Sequence, residues 1–186
     1  TLNIQIWSDI MCPFCYIGKR RIEEALQHFE HKDSVAIEWK SFQLDAGFIA
    51  SPEDNMVEHL AEKYRKDKDW AQEMLDNMTQ NAKNAGLDFH FEKAILANSF
   101  HAHRLLHLAK KYDLANNLEE LLFKAYLTEG KNVNDLNTLT ALAQEVGLEA
   151  EEIQHVLHSD AFAKEVKEDI KEANSIGVQG VPFFVF

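Results

Sequence analysis

The chain has only two cysteines in 186 residues, three prolines, seven glycines, and 19 basic side chains against 31 acidic ones. Two cysteines cannot build the dense disulfide framework of small secreted domains, so the fold must rest on an apolar core, which a chain of this length can bury. Sparse proline and glycine leave no low-complexity run or disordered linker, and no internal repeat is present. A formal charge of −12 repels phosphate backbones and anionic bilayers, which argues against nucleic acid and membrane as partners and leaves small molecules and protein thiols or disulfides. No apolar run approaches membrane-spanning length, and the start, Thr1-Leu2-Asn3-Ile4, carries neither a basic segment nor a signal-like apolar stretch. A cytoplasmic location is expected. In a reducing compartment a lone pair of nearby cysteines is more often catalytic or redox-sensing than a structural staple.

Both cysteines fall in one stretch, Cys12-Pro13-Phe14-Cys15. The alternation of Leu2, Ile4 and Ile6 before it predicts a strand, and Ile22, Ala25, Leu26 and Phe29 after it predict a helix running to about Glu30. The thiols therefore sit where a strand hands over to a helix. Free N–H groups and the positive end of the helix dipole stabilise a thiolate at Cys12, and Pro13 at the first helical position loses nothing by lacking an N–H. Cys15, three residues on, shares a face with Cys12 and can close a small disulfide with it. Cys12, expected to be the more exposed, is the candidate attacking thiol and Cys15 the candidate resolving thiol. Two other readings stand beside this one. The pair could be half of a zinc site completed by His103 and His107, or two inert buried thiols. His101 and His103, two apart, point to different sides of their helix, which argues against a histidine cluster.

Farther along, Ser34 to Phe42 alternates as a second strand, making a right-handed βαβ unit with a parallel pair and placing the thiols at the sheet's edge. From residue 51 to about 175 the pattern is helical. Ser51-Pro52-Glu53-Asp54 is expected to cap the first of these helices and Asn98-Ser99 a later one, with stops at Gly86, Gly130, Gly147 and near Gly177. The polar run Lys63 to Asp69 is expected to be a solvated turn and helix start, and the Met and aromatic stripes to be core. Gly177-Val178-Gln179-Gly180-Val181-Pro182 then makes a tight loop into a buried strand from Phe183. Only about 5–6% of X-Pro bonds are cis in folded proteins, so backbone physics alone predicts trans at Val181-Pro182. An apolar ending, Phe183-Phe184-Val185-Phe186, leaves a strand with nothing to cover it.

Three pieces in order, Asp9 to Gly18 (D-x-x-C-P-x-C-Y-x-G), Asn98 to Leu105 (N-S-x-x-A-H-R-L) and Gly177 to Phe184 (G-V-x-G-V-P-F-F), give the chain its family likeness. It resembles the DsbA-like branch of the thioredoxin superfamily, and within it the FrnE-like proteins. The resemblance implies an α/β thioredoxin fold with a large all-helical insertion, divided as residues 1–45 and 175–186 for the thioredoxin-like part and 46–174 for the insertion. It implies a cis Val181-Pro182 bond facing the thiols. Catalysis would fall to Cys12, Cys15 and Pro182, with Pro13, Phe14, Gln179, Gly180, Val181, Asn98 and His101 as substrate contacts. The activity implied is thiol–disulfide exchange, with no metal and no cofactor beyond the Cys12–Cys15 disulfide, glutathione being a candidate co-substrate.

The likeness is incomplete in two places. Phe14 stands where DsbA proper has a histidine that helps hold the thiolate, so a less oxidising couple is expected. The family's further strand and last helix after Phe183 are missing, which suggests a longer natural protein. A second reading is a glutathione-dependent isomerase or transferase of the kappa and 2-hydroxychromene-2-carboxylate isomerase type, which shares the architecture. That class tends to carry serine at the position of Cys12 and to lack the second cysteine. A non-catalytic protein binding zinc or a peptide is a third reading.

Overall fold

A computed structural model describes residues 1–186. Strand β1 (Leu2–Ser8) leads into helix α1 (Pro13–Gln27) and strand β2 (Val35–Ser41). Seven helices follow, α2 (Met56–Tyr64), α3 (Lys68–Asn84), α4 (Phe100–Lys110), α5 (Ala115–Leu127), α6 (Leu136–Glu145), α7 (Ala150–Leu157) and α8 (Ala163–Ser175), before strand β3 (Phe183–Val185). This is the expected α/β architecture, a small sheet with a large helical insertion between its second and third strands. No helix is long and apolar enough to cross a membrane.

The sheet runs β2-β1-β3. β1 pairs in parallel with β2, from Leu2 opposite Val35 to Ser8 opposite Ser41, and antiparallel with β3, where Trp7 faces Phe183. Alternation decides what each face of β1 buries. Ile4 and Ile6 pack with Trp39 on the side of Ile22 and Phe184, while Trp7 packs with Ala173 and Val178. α8 covers that second face: the Trp7 indole donates to the Asp169 carbonyl (2.9 Å), and the Asp169 carboxylate accepts the Ser41 N–H (2.9 Å). Thus α8 is tied to the sheet, although the division drawn from the sequence places it in the insertion.

The main core lies between the other side of α1 and the insertion. Cys15, Tyr16 and Ile17 of α1 share one apolar cluster with Leu75 and Met78 of α3, Leu105 of α4, and Leu122, Phe123 and Tyr126 of α5. Tyr16 stacks on Phe123 with ring centroids 5.0 Å apart, so α1 serves both layers.

Several local expectations change. The helix after residue 51 begins at Met56, capped by Asn55, whose side chain accepts the Glu58 N–H. Ser51 is instead spent on a turn, its N–H donating to the Asp54 carboxylate. Ser99 gives no side-chain cap to α4; the Asn98 side chain accepts the Phe100 N–H in its place. α1 stops at Gln27, and β3 is half-buried instead of buried. The expected turn over Lys63 to Asp69 is present, with Arg65 left-handed at φ 54° and Asp67 capping α3. Gly130 shows why a helix stops where it does. Its φ is +67°, and a Cβ there would lie 2.9 Å from the Lys93 carbonyl oxygen, so only glycine fits.

Candidate active site

Cys12 is the N-cap of α1, in extended conformation at φ −102° and ψ 109°. Its N–H donates to the Asp9 carbonyl (3.0 Å), and its own carbonyl accepts the Cys15 N–H (3.1 Å). Contrary to expectation, Cys12 is not exposed. Only 4% of its surface is accessible, against 0% for Cys15, because the loop before β3 lies over it and its thiol donates to the Val181 carbonyl at 3.5 Å.

The Val181-Pro182 peptide is cis in this structure. β3 pairs with β1 beyond this loop and so brings Val181 and Pro182 to the edge that carries the thiols. Glycine at position 18 makes room on α1. A Cβ on Gly18 would stand 3.1 Å from the Pro182 ring.

The two thiols are set apart electrically. Cys12 is held below the usual thiol range, chiefly by a hydrogen bond from the Cys15 side chain, which outweighs the opposing effect of burial. Backbone groups at Cys15 and Phe14 help, while the Asp9 charge works against it. Burial pushes Cys15 well up, and the partnership with Cys12 pushes it further, despite a hydrogen bond with Ser8. This division suits an attacking thiolate beside a protonated reserve thiol.

Asp9 was missed by sequence reasoning, yet it joins three parts of the chain at the site. It is 1% exposed and accepts from the Ser99 hydroxyl (2.7 Å), His103 Nε2 (3.2 Å), the Met11 N–H (3.4 Å) and the Leu44 N–H (2.9 Å). The first two partners belong to the Asn98–Leu105 motif, and the acid opens the Asp9–Gly18 motif; that pairing of motifs was the available signal. His103 is thus spent on Asp9, and His107 on Ser41 (3.1 Å) and Asp169 (3.1 Å). Behind Cys15, the Ser8 hydroxyl donates to Glu119 of α5 (3.2 Å). Burial lifts that carboxyl to about 7.

A cavity of about 800 Å³ opens beside Cys12 between α1, α2, α3 and the loop before β3. Pro13, Phe14, Gln179, Gly180 and Val181 all line it, so the structure brings these five predicted contacts together with Cys12. Pro182 is not among the residues lining this cavity; it lines a separate hollow together with Phe14, Gly18 and Phe184. Asn98 and His101 are not in the Cys12 cavity; they line a separate one with Gln43, Phe100 and Lys167. Asn98 is spent locally, donating to the Ala46 and Phe48 carbonyls and accepting from Gln43, while His101 contacts Arg104 (3.0 Å).

A cysteine pair at a strand-to-helix junction, faced by the loop before an antiparallel strand and covered by helices, defines a thioredoxin-fold protein. The family model of the DSBA-like thioredoxin domain matches residues 3–186, and the chain belongs to that family. It is 29% identical over 191 residues to the uncharacterized protein YwbO of Bacillus subtilis (strain 168), covering 100% of this chain and 86% of the relative. Among solved structures it is similar to a probable DsbA oxidoreductase from Streptomyces coelicolor, with 38% identity and a TM-score of 0.92 over 100% of this chain and 80% of that one. A 2-hydroxychromene-2-carboxylate isomerase has the same fold at 16% identity, with a TM-score of 0.71 over 100% of this chain and 85% of its own.

Proposed function

We propose that the chain is a thiol–disulfide oxidoreductase working through Cys12 and Cys15. The observation that carries the reading is geometric: Cys12 stands at the N-cap of α1 with Cys15 buried three residues on, and the loop with the cis Val181-Pro182 peptide sets the Val181 carbonyl 3.5 Å from the Cys12 sulfur. The Cys12 thiol held low and the Cys15 thiol held high agree with it. The Cys12 thiolate attacks a substrate disulfide to form a mixed disulfide, and Cys15 resolves it by closing the Cys12–Cys15 bond. Pro13, Phe14, Gln179, Gly180 and Val181 contact the substrate, and Pro182 holds the loop against α1. The Val181 carbonyl that now accepts from the Cys12 thiol is free to pair with substrate once that thiol ionises. Glutathione is the candidate small-molecule co-substrate, and a reducing cytoplasmic setting fits a lone redox pair.

The isomerase reading draws on the same fold, but a second cysteine placed to resolve a mixed disulfide has no task in it. The deciding experiment is a dithiothreitol-driven insulin reduction assay with wild type, Cys12→Ser and Cys15→Ser, combined with iodoacetamide labelling against pH. Catalysis should vanish in Cys12→Ser, and Cys15→Ser should trap mixed disulfides. In wild type only Cys12 should label in the native state, with an inflection below the free-thiol value of about 8.5. Equal labelling of both thiols, or turnover surviving Cys12→Ser, would refute the assignment.

A further inference from the structure

All four methionines of the chain, Met11, Met56, Met74 and Met78, line the cavity beside Cys12. They come from three separate places: the loop before α1, the first residue of α2, and α3, where positions four apart share a face. The core elsewhere is filled with Leu, Ile, Val, Ala and Phe, so the thioethers are gathered where the interior opens. Unbranched and polarisable, methionine adapts to apolar shapes that are not fixed in advance. A second feature points into the same space. Tyr126 is 1% exposed and lines the cavity. Burial pushes the phenol up, so it stays protonated and offers a donor to whatever enters.

We propose that this cavity holds the apolar body of a low-molecular-weight disulfide, one of whose sulfurs is presented to Cys12 while a polar group of the ligand accepts from Tyr126. The proposal rests on the oxidoreductase reading and names the substrate class of the same site. Size favours a small molecule over a protein. At about 800 Å³ the cavity falls in the range of roughly 300–1,000 Å³ that encloses whole small ligands, and it exceeds what one inserted side chain would fill.

The chemistry balances without a further cofactor. The Cys12 thiolate attacks one sulfur of R–S–S–R′, forming Cys12–S–S–R and releasing R′–S⁻, which takes a proton from solvent. Cys15 then gives up its proton and attacks the Cys12 sulfur, closing the Cys12–Cys15 disulfide and releasing R–S⁻, which is protonated in turn. Two protein thiols are oxidised and one substrate disulfide is reduced to two thiols; an external dithiol such as dithiothreitol restores the reduced pair.

The test uses the reduced full chain and a homologous series of alkyl 2-pyridyl disulfides from methyl to hexyl, with a hydroxyethyl member, followed by release of pyridine-2-thione. Rates are divided by those with free cysteine to remove intrinsic reactivity. Each methylene seated in the cavity should raise kcat/KM about fourfold, the transfer free energy of one CH₂ converted to a rate ratio. Met74→Gln, a near-isosteric change at a half-buried position on the wall, should lower the hexyl-over-methyl ratio about tenfold. A wild-type series that is flat while thione is still released, or insulin consumed with higher kcat/KM than the hexyl compound, would overturn the cavity assignment and leave thiol exchange standing. No release from any member beyond the Cys12→Ser background, together with no insulin reduction, would overturn both. The wild-type series decides even if Met74→Gln fails to fold.

Discussion

Asp9 concentrates more polar partners than any other side chain near the thiols, and its charge acts on Cys12 in the wrong direction for a reactive thiolate. Its use is structural: one buried carboxylate satisfies donors from α4, from the loop after β2 and from the loop before α1. Asp9→Asn keeps the shape but supplies an amide where Leu44 N–H needs an acceptor. Each buried donor left unpaired costs about 1–3 kcal/mol, so a loss of about 2–3 kcal/mol is expected in urea unfolding. The same substitution removes a negative charge that holds the Cys12 pKa up, so the iodoacetamide inflection should move to lower pH. Destabilisation with an unmoved inflection would mean that Asp9 supports the loop without being felt at the sulfur.

At the level of elements, the close approach of α1 to the loop before β3 aligns Cys12 with Val181. Gly18→Ala would add a Cβ 3.1 Å from the Pro182 ring. Replacing a helix glycine by alanine gains about 1 kcal/mol of helix propensity, whereas overpacking costs about 1–3 kcal/mol, so the net loss of stability should be about 2 kcal/mol at most. The exchange rate should fall severalfold nonetheless, because the displaced loop carries Val181 away from the sulfur. A urea midpoint and kcat/KM measured on one preparation separate the two effects; an unchanged rate would show that the loop tolerates the shift. What could be read from the sequence at this scale follows from the range of the interactions. The strands, the cysteine-bearing helix and the helix stops at Gly86, Gly130, Gly147 and Gly177, all at positive φ, depend on neighbouring residues and were legible. The burial of Cys12 and the meeting of Asp9 with Ser99 and His103 depend on contacts some 90 to 170 residues apart, which no periodicity encodes. Of the expected cap pair, Asn98 does accept the Phe100 N–H, but it also orders the loop after β2, while Ser99 gives no cap and reaches Asp9.

For the molecule as a whole, two adjacent acids on α5 bend stability in opposite directions with pH. Glu120 is held at about 2: burial works against it, but hydrogen bonds from Lys19, Tyr16 and Arg20 and the Lys19 charge prevail. A carboxyl with a depressed folded pKa contributes stability above its unfolded value of about 4.5, and loses it as pH falls from there toward 2. Glu119 does the reverse. Burial lifts it to about 7 in spite of the nearby His103 and Lys19, with Asp9 adding to the rise. The folded state therefore binds a proton that the unfolded chain has released, and stability drains away as pH rises from about 4.5 to 7. At 1.36 kcal/mol per unit, that arm amounts to about 3 kcal/mol. Glu119→Gln keeps a hydrogen-bonding group beside Ser8 and removes the titration. Unfolding free energies by urea from pH 4 to 8 should show the difference, mutant minus wild type, growing by about 3 kcal/mol across that window and levelling off above it. Glu120→Gln should act on the other arm, flattening the loss of stability below pH 4.5. A Glu119→Gln difference that is constant with pH would place the carboxyl's folded pKa near its unfolded one.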